Sequence, residues 1–259
     1  YLAECAFSQG QDSLAQHAYE FVAASGELSF RKQAVERLAS LYYAGQDFEQ
    51  AFYYYEQVLG LVGNADEGRR ARLGLMRCAK SLDNVPVVMQ YAESLLQDEA
   101  LPTDWKTEAL LNAARSAYEL KDSANAKLYY TQVKAEIKGE AQAEATYYLA
   151  EFDHVMGKYE GSNDLLFWMI ENLPTYPKWR WNSLILMAKN YAGLRDDFQA
   201  NYTLDFVIDN ADLGDYAAQA SAFKSELALQ REREERNTIG VDSLSMEDFE
   251  MESIEELEE

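Results

Sequence analysis

The sequence predicts an all-α solenoid, built from stacked helix-turn-helix hairpins and closed by one capping helix. Three observations carry this. Apolar and small residues recur at i, i+3, i+4 and i+7 in paired stretches, the spacing of one buried helix face. The pairs repeat six times with a period of 36 to 38 residues. Turn-forming residues interrupt each pair, and prolines mark two of the junctions between pairs. A single hairpin cannot bury its apolar stripe alone, so it needs copies of itself on both sides.

The stretch from Ala143 to Pro177 shows the unit most clearly. Thr146, Leu149, Ala150 and Asp153 mark one face of a first helix, and Ser162, Leu166, Met169 and Ile170 one face of a second. Gly157 lies between them, where a left-handed residue ends a helix without steric cost. Pro174 ends the second helix. In the six units the first helices align on Leu2-Ala3, Leu38-Ala39, Leu75-Met76, Ala113-Ala114, Leu149-Ala150 and Met187-Ala188. Three residues after each pair stand Ala6, Tyr42, Ala79, Ala117, Asp153 and Tyr191. The second helices open on Ala15, Ala51, Val88, Ala126, Ser162 and Ala200, with Tyr19, Tyr55, Ala92, Tyr130, Leu166 and Leu204 one turn later. The units fall at about 1–28, 32–62, 69–98, 107–138, 143–174 and 181–212.

After Asp212 one amphipathic stripe, Leu213, Tyr216, Ala217, Ala220, Phe223 and Leu227, predicts a capping helix over 213–236. Residues 237–259 hold nine acidic and no basic residues, a composition expected to stay disordered when unbound. Met251, Ile254 and Leu257 form a stripe that a partner, or this chain's own groove, would accept.

Six coincident units resemble the tetratricopeptide repeat, whose pattern is W-x2-L-G-x2-Y, then A-x3-F, then P. The resemblance covers about residues 1–212 and implies a right-handed α-α superhelix whose first helices line a concave groove. Departures from the pattern fall mainly in the third unit. Val88 and Ala92 replace the preferred Ala and aromatic residue, and Asn84-Val85-Pro86 replaces the usual turn, so this unit is expected to pack most loosely. Cys5 and Cys78 occupy equivalent places two units apart, too far for a disulfide, and both are expected to be small buried thiols.

The formal charge of −22 argues against nucleic acid and anionic lipid as partners, since both gain affinity by exchanging counterions for Lys and Arg. No apolar run approaches the length of a membrane-spanning helix, so direct membrane insertion by this segment is not expected. The chain opens on YLAEC, inside a helix pattern and without Met, as expected of a fragment of a longer array. Neither the sequence nor the resemblance fixes an oligomeric state.

Chemistry-bearing motifs are scarce. Glu151 and His154 form an E-x-x-H pair, but His17 lacks its glutamate, so a di-iron reading is incomplete. The common phosphate, dinucleotide, zinc and serine-nucleophile motifs are missing, and no cofactor, no metal and no enzymatic activity is expected. The resemblance instead points to the groove. Leu73, Leu111, Tyr147 and Ile185 are equivalent apolar residues on it, and Arg77, Arg115 and Lys189 follow at i+4. Phe7, Tyr43, Tyr118 and His154 are one turn further on. Two readings stay open. These residues hold a protein or peptide partner through apolar anchors and cations, or the apolar ones pack between repeats while the cations pair with nearby glutamates, as Arg115 would with Glu119.

The family's chaperone-binding clamp is not reproduced, because Glu36 with Ser40 and Leu73 with Arg77 stand in its places. Repeats five and six are worded like those of bacterial envelope tetratricopeptide proteins. That likeness implies a scaffold in a cell-envelope assembly, periplasmic or associated with the outer membrane. The alternatives are a substrate-positioning region of a larger enzyme and a cytoplasmic peptide sensor.

Overall fold

The computed structural model describes the backbone of residues 1–25, 27–212 and 214–255, and the side chains of all these except 28, 29 and 238–255. Thirteen helices and no strand occur among the described residues. Six pairs come first: α1 (Leu2–Ser8) with α2 (Asp12–Ser25), α3 (Leu28–Ala44) with α4 (Phe48–Gly60), and α5 (Ala65–Ser81) with α6 (Val85–Leu96). Then come α7 (Thr103–Glu119) with α8 (Ser123–Glu136), α9 (Glu140–Val155) with α10 (Tyr159–Asn172), and α11 (Pro177–Gly193) with α12 (Asp197–Asn210). The last helix is α13 (Tyr216–Glu255). Most first helices start about one turn before the expected unit, at 28, 65, 103 and 177 rather than 32, 69, 107 and 181.

The turn inside each pair is the same structure made six times. The residues at Gly10, Gln46, Asp83, Lys121, Gly157 and Arg195 all take a left-handed backbone, with φ between 53° and 70°. The next N–H then bonds back to the carbonyl five residues before it, from Gln11 to Ala6, Asp47 to Tyr42, Asn84 to Ala79, Asp122 to Ala117, Lys158 to Asp153 and Asp196 to Tyr191, at 2.8–3.0 Å. This satisfies a carbonyl that the helix end leaves without a partner. The acceptors are the six equivalent residues picked out by the sequence period. At four second helices the turn residue is non-glycine and pays steric strain that Gly10 and Gly157 avoid. Asp47, Asp122 and Asp196 also cap the helix that follows, accepting from Gln50, Asn125 and Gln199 N–H at 3.0–3.1 Å.

The helices group into two compact units, Tyr1–Ala145 and Thr146–Glu259. In the first, Ala3, Ala6, Ala15, Tyr19, Ala34 and Leu38 form one core cluster, and Val35, Ala39, Val58 and Ala71 the next. Leu75, Met76, Cys78, Leu95, Leu110, Ala113 and Ala114 are also buried there. In the second unit Ala150, Leu166, Leu186 and Met187 pack together, followed by Trp181, Ile185, Ala188, Leu204, Val207 and Ala220. Small residues at the contacts let helix axes approach closely, so each pair draws its stability from its neighbours.

Some expectations need correction. The third pair, where looser packing was expected, buries Val88, Met89, Ala92 and Leu95 along α6, and Tyr91 sets its ring edge-on to Phe52 at 6.2 Å. Cys78 is buried, but Cys5 is exposed, because α1 buries only its Ala3 and Ala6 edge. The final helix does not stop at Arg236; its backbone continues to Glu255, over a stretch with no proline and a single glycine to break it. The anchors Met251, Ile254 and Leu257 lie outside the residues whose side chains are described, as does Leu213 of the capping stripe. That helix docks through Ala220 and Leu227, with Tyr216 and Phe223 half-buried, and is then held by Arg231, which forks onto Asp197 at 2.8 Å and reaches the Ala192 carbonyl.

Candidate functional site

In the first unit the groove residues do not stand free. Arg77 on α5 forks onto Glu108 on α7, with Nε and Nη2 donating at 2.8 and 2.6 Å. Arg115 on α7 does the same to Glu144 on α9, at 2.6 and 2.5 Å. Hydrogen bonding to Glu108 raises the affinity of Arg77 for its proton above the ordinary value. The predicted partner Glu119 is not the one these bonds use. Each bridge instead joins one first helix to the next, which i+4 reasoning on a single helix does not reveal.

The apolar residues divide. Leu73 is 3% exposed, while Leu111 is half-buried. Tyr43 and Tyr118 are half-buried too, Tyr43 edge-on to Phe48 at 5.5 Å and Tyr118 beneath the Lys121 ammonium at 5.5 Å. Both keep part of the ring open to a partner.

Between α3, α4, α5 and α7 lies a pocket of about 530 Å³. Its apolar side is Tyr43, Tyr55, Val58, Leu73 and Trp105; its charged side is Glu36, Arg37, Glu67, Arg70 and Arg77. Gly74 makes room for the Tyr55 ring on its wall, since a Cβ there would meet that ring at 2.6 Å. The Tyr55 hydroxyl is pushed above its ordinary pKa, first by burial. Most cations are already engaged: Arg37 with Glu4 at 3.4 Å, Arg77 with Glu108, and Lys32 with the pocket's Glu67 at 2.5 Å. Arg70 is exposed and has no ion pair among the described residues.

Helical hairpins of this kind occur in solved structures. The chain superposes on the protein YrrB, described as a tetratricopeptide protein with an unusual peptide-binding site, with a TM-score of 0.57 and 15% identity over 73% of this chain and 91% of that one. MamA matches with a TM-score of 0.54 and 14% identity over 75% and 94%. PilW, described as a type IV pilus biogenesis factor, matches with a TM-score of 0.51 and 16% identity over 84% and 94%. The fold is the tetratricopeptide solenoid. No family model and no curated protein matches the sequence.

The remaining predicted residues lie in the second unit. Ile185 is 6% exposed and belongs to the core, and Tyr147 packs on Tyr148 and Trp179 with ring centroids 5.5 and 5.6 Å away. Lys189 is exposed, its ammonium 5.8 Å from the Phe223 ring. His154 meets Asn190 at 2.6 Å, Nδ1 to Oδ1. The Asn190 amide donates to Ser162 Oγ and Asn163 Oδ1, both at 2.8 Å, so its Oδ1 accepts and the histidine proton sits on Nδ1. Ser162 passes the chain on to the Ala150 carbonyl at 2.7 Å. Among the described residues no group of three or more His, Cys, Asp or Glu is arranged to hold a metal ion.

Sequence reasoning missed Ser40, Arg70 and Trp105 as members of one site. Their signal was positional: Ser40 and Arg70 occupy the places that Glu4 and Gln33 hold at the junction before, and Arg77 and Glu108 at the junction after.

Proposed function

We propose that this chain is a non-enzymatic scaffold which holds a segment of a protein partner on the groove face of its first unit. The observation that carries the reading is the pocket between α3, α4, α5 and α7, where open aromatic surface and a guanidinium stand side by side. Tryptophan, tyrosine and arginine are enriched among the few residues that dominate binding at protein interfaces. The Arg77–Glu108 and Arg115–Glu144 bridges hold the neighbouring first helices in register before a partner arrives, which lowers the ordering cost of binding.

Compartment and assembly belong to the same proposal. The wording of repeats five and six favours a bacterial envelope complex, periplasmic or outer-membrane-associated, and fractionation of the native cell tests that part separately.

The groove reading is tested by selecting peptides from a displayed library on the immobilised chain and locating them by photo-crosslinking. Crosslinks to Tyr43, Trp105 and Tyr118 are expected. Crosslinks confined to exposed residues of the second helices, such as Tyr53 and Leu128, would overturn it.

A further inference from the structure

Four junctions link consecutive first helices in the first unit, and three of them are bridged at the same two places. Glu4 accepts from Gln33 at 3.1 Å, Arg77 donates to Glu108, and Arg115 donates to Glu144. Each bridge contains one carboxylate. At the remaining junction the two places hold Ser40 and Arg70. The serine hydroxyl turns back to the Glu36 carbonyl of its own helix at 3.1 Å and offers Arg70 no charge. Both residues line the pocket. The missing carboxylate and the pocket are therefore the same feature.

We infer that this pocket takes the carboxylate of an aspartate or glutamate side chain from an extended partner segment, which completes the absent bridge on Arg70; the inference rests on the groove being a peptide site. Charge complementarity selects this occupant. Arg37, Arg77 and Glu67 are matched by Glu4, Glu108 and Lys32, so the pocket's open charges are Arg70 and Glu36. A guanidinium bonded to a carboxylate beside aromatic walls gains from reduced solvent screening. Glu36 repels a second acid, so a neutral or basic residue belongs next to the bound one, and an apolar side chain belongs over Tyr43 and Trp105. The pocket runs along three successive first helices, α3, α5 and α7, and so leaves room for chain on both sides of the anchor. That favours a side chain over a chain terminus.

The test uses peptides selected on the intact chain, resynthesised as amides with each acidic residue changed in turn to its amide. One acidic position is expected to dominate, its replacement weakening binding about tenfold or more. Arg70→Gln should cause the same loss and make the peptide's acid and amide forms equivalent. Ser40→Glu should fill the bridge internally and abolish binding while circular dichroism and the melting temperature hold, because repeat one already carries Glu4 at this place. Peptides that crosslink to the groove but bind Arg70→Gln and Ser40→Glu unchanged overturn this inference alone. Dependence on a free C-terminal carboxylate instead of a side chain also overturns it. If no selected peptide crosslinks to the groove, the functional reading falls with it.

Discussion

Arg115 and Glu144 face each other across two consecutive first helices in a forked pair, with both N–O distances at or below 2.6 Å. Their exposures differ sharply: the arginine side chain is 40% open and the glutamate only 6%. The equivalent Arg77–Glu108 pair is more evenly exposed, at 40% and 30%. Equal geometry therefore carries unequal energy, because a carboxylate shut away from water depends on its one cation.

Removing that cation should be costly. Arg115→Ala is expected to destabilise the protein by about 2 kcal/mol, below the range for a fully buried pair because the arginine itself is part-exposed. Arg77→Ala should cost about 0.5–1 kcal/mol, since Glu108 regains water. Chemical denaturation of the two variants checks this, and equal losses would show that Glu144 does not depend on its bridge. Charge reversal at Arg77 and Arg115 would test repeat stacking more than recognition, which makes Arg70 the cleaner probe of the partner.

The left-handed turns supply a second prediction. Gln46 has φ of 62°, and its side chain takes part in no hydrogen bond among the described residues. Gln46→Gly relieves about 1–2 kcal/mol of backbone strain and gives back about 0.4–1 kcal/mol through a more flexible unfolded chain. A net gain of roughly 0.5 kcal/mol is expected. Gly157→Ala runs the other way, by roughly 0.5 kcal/mol, although a Cβ there meets nothing within 4 Å. Matched melts of the two variants separate backbone strain from packing, and a stabilised Gly157→Ala would refute the account.

The fold was legible in the sequence because the period fixes which residues face inward. Leu38, Leu75, Ala113, Ala150 and Ala188, picked by spacing alone, are all fully or almost fully buried. The site was legible only in part. Periodicity finds the side of a helix that faces the groove, but Leu73 and Ile185, at 3% and 6% exposure, show that a residue on that side can still be almost wholly buried. Pairing between repeats needs the register of two helices some thirty residues apart, so Arg77–Glu108 and Arg115–Glu144 escaped a search along one helix, and with them the junction where the bridge is absent.

Thiol chemistry gives a third prediction. Cys78 is fully buried, and burial pushes its thiol up to about 12, whereas Cys5 is exposed. The thiolate is the reactive form, so at about pH 8 only a minute fraction of Cys78 is available. An aromatic disulfide reagent should label Cys5 quickly in the native protein and Cys78 at least about a thousandfold more slowly. Denaturant should bring the two together, and fast labelling of both without it would mean that the third repeat opens readily.

Acid should expose the bridge between α5 and the turn after α6. The Arg69 guanidinium donates to Asp98 at 2.8 Å and holds that carboxyl below its ordinary 3.8, with help from the Ala100 N–H. A carboxyl whose folded pKa is depressed contributes stability that is present in full above the unfolded value and lost as pH falls through the folded one. Arg69→Gln lets the folded value relax upward, so the variant has less of this stability to lose. The melting temperature of the wild type should exceed that of Arg69→Gln at about pH 6, and the gap should narrow steadily toward about pH 2. General acid effects act on both proteins and cancel in the difference. A gap that stays constant across the titration would mean that Arg69 acts by packing its stem, which lies 13% exposed against the helix end, and not through its charge.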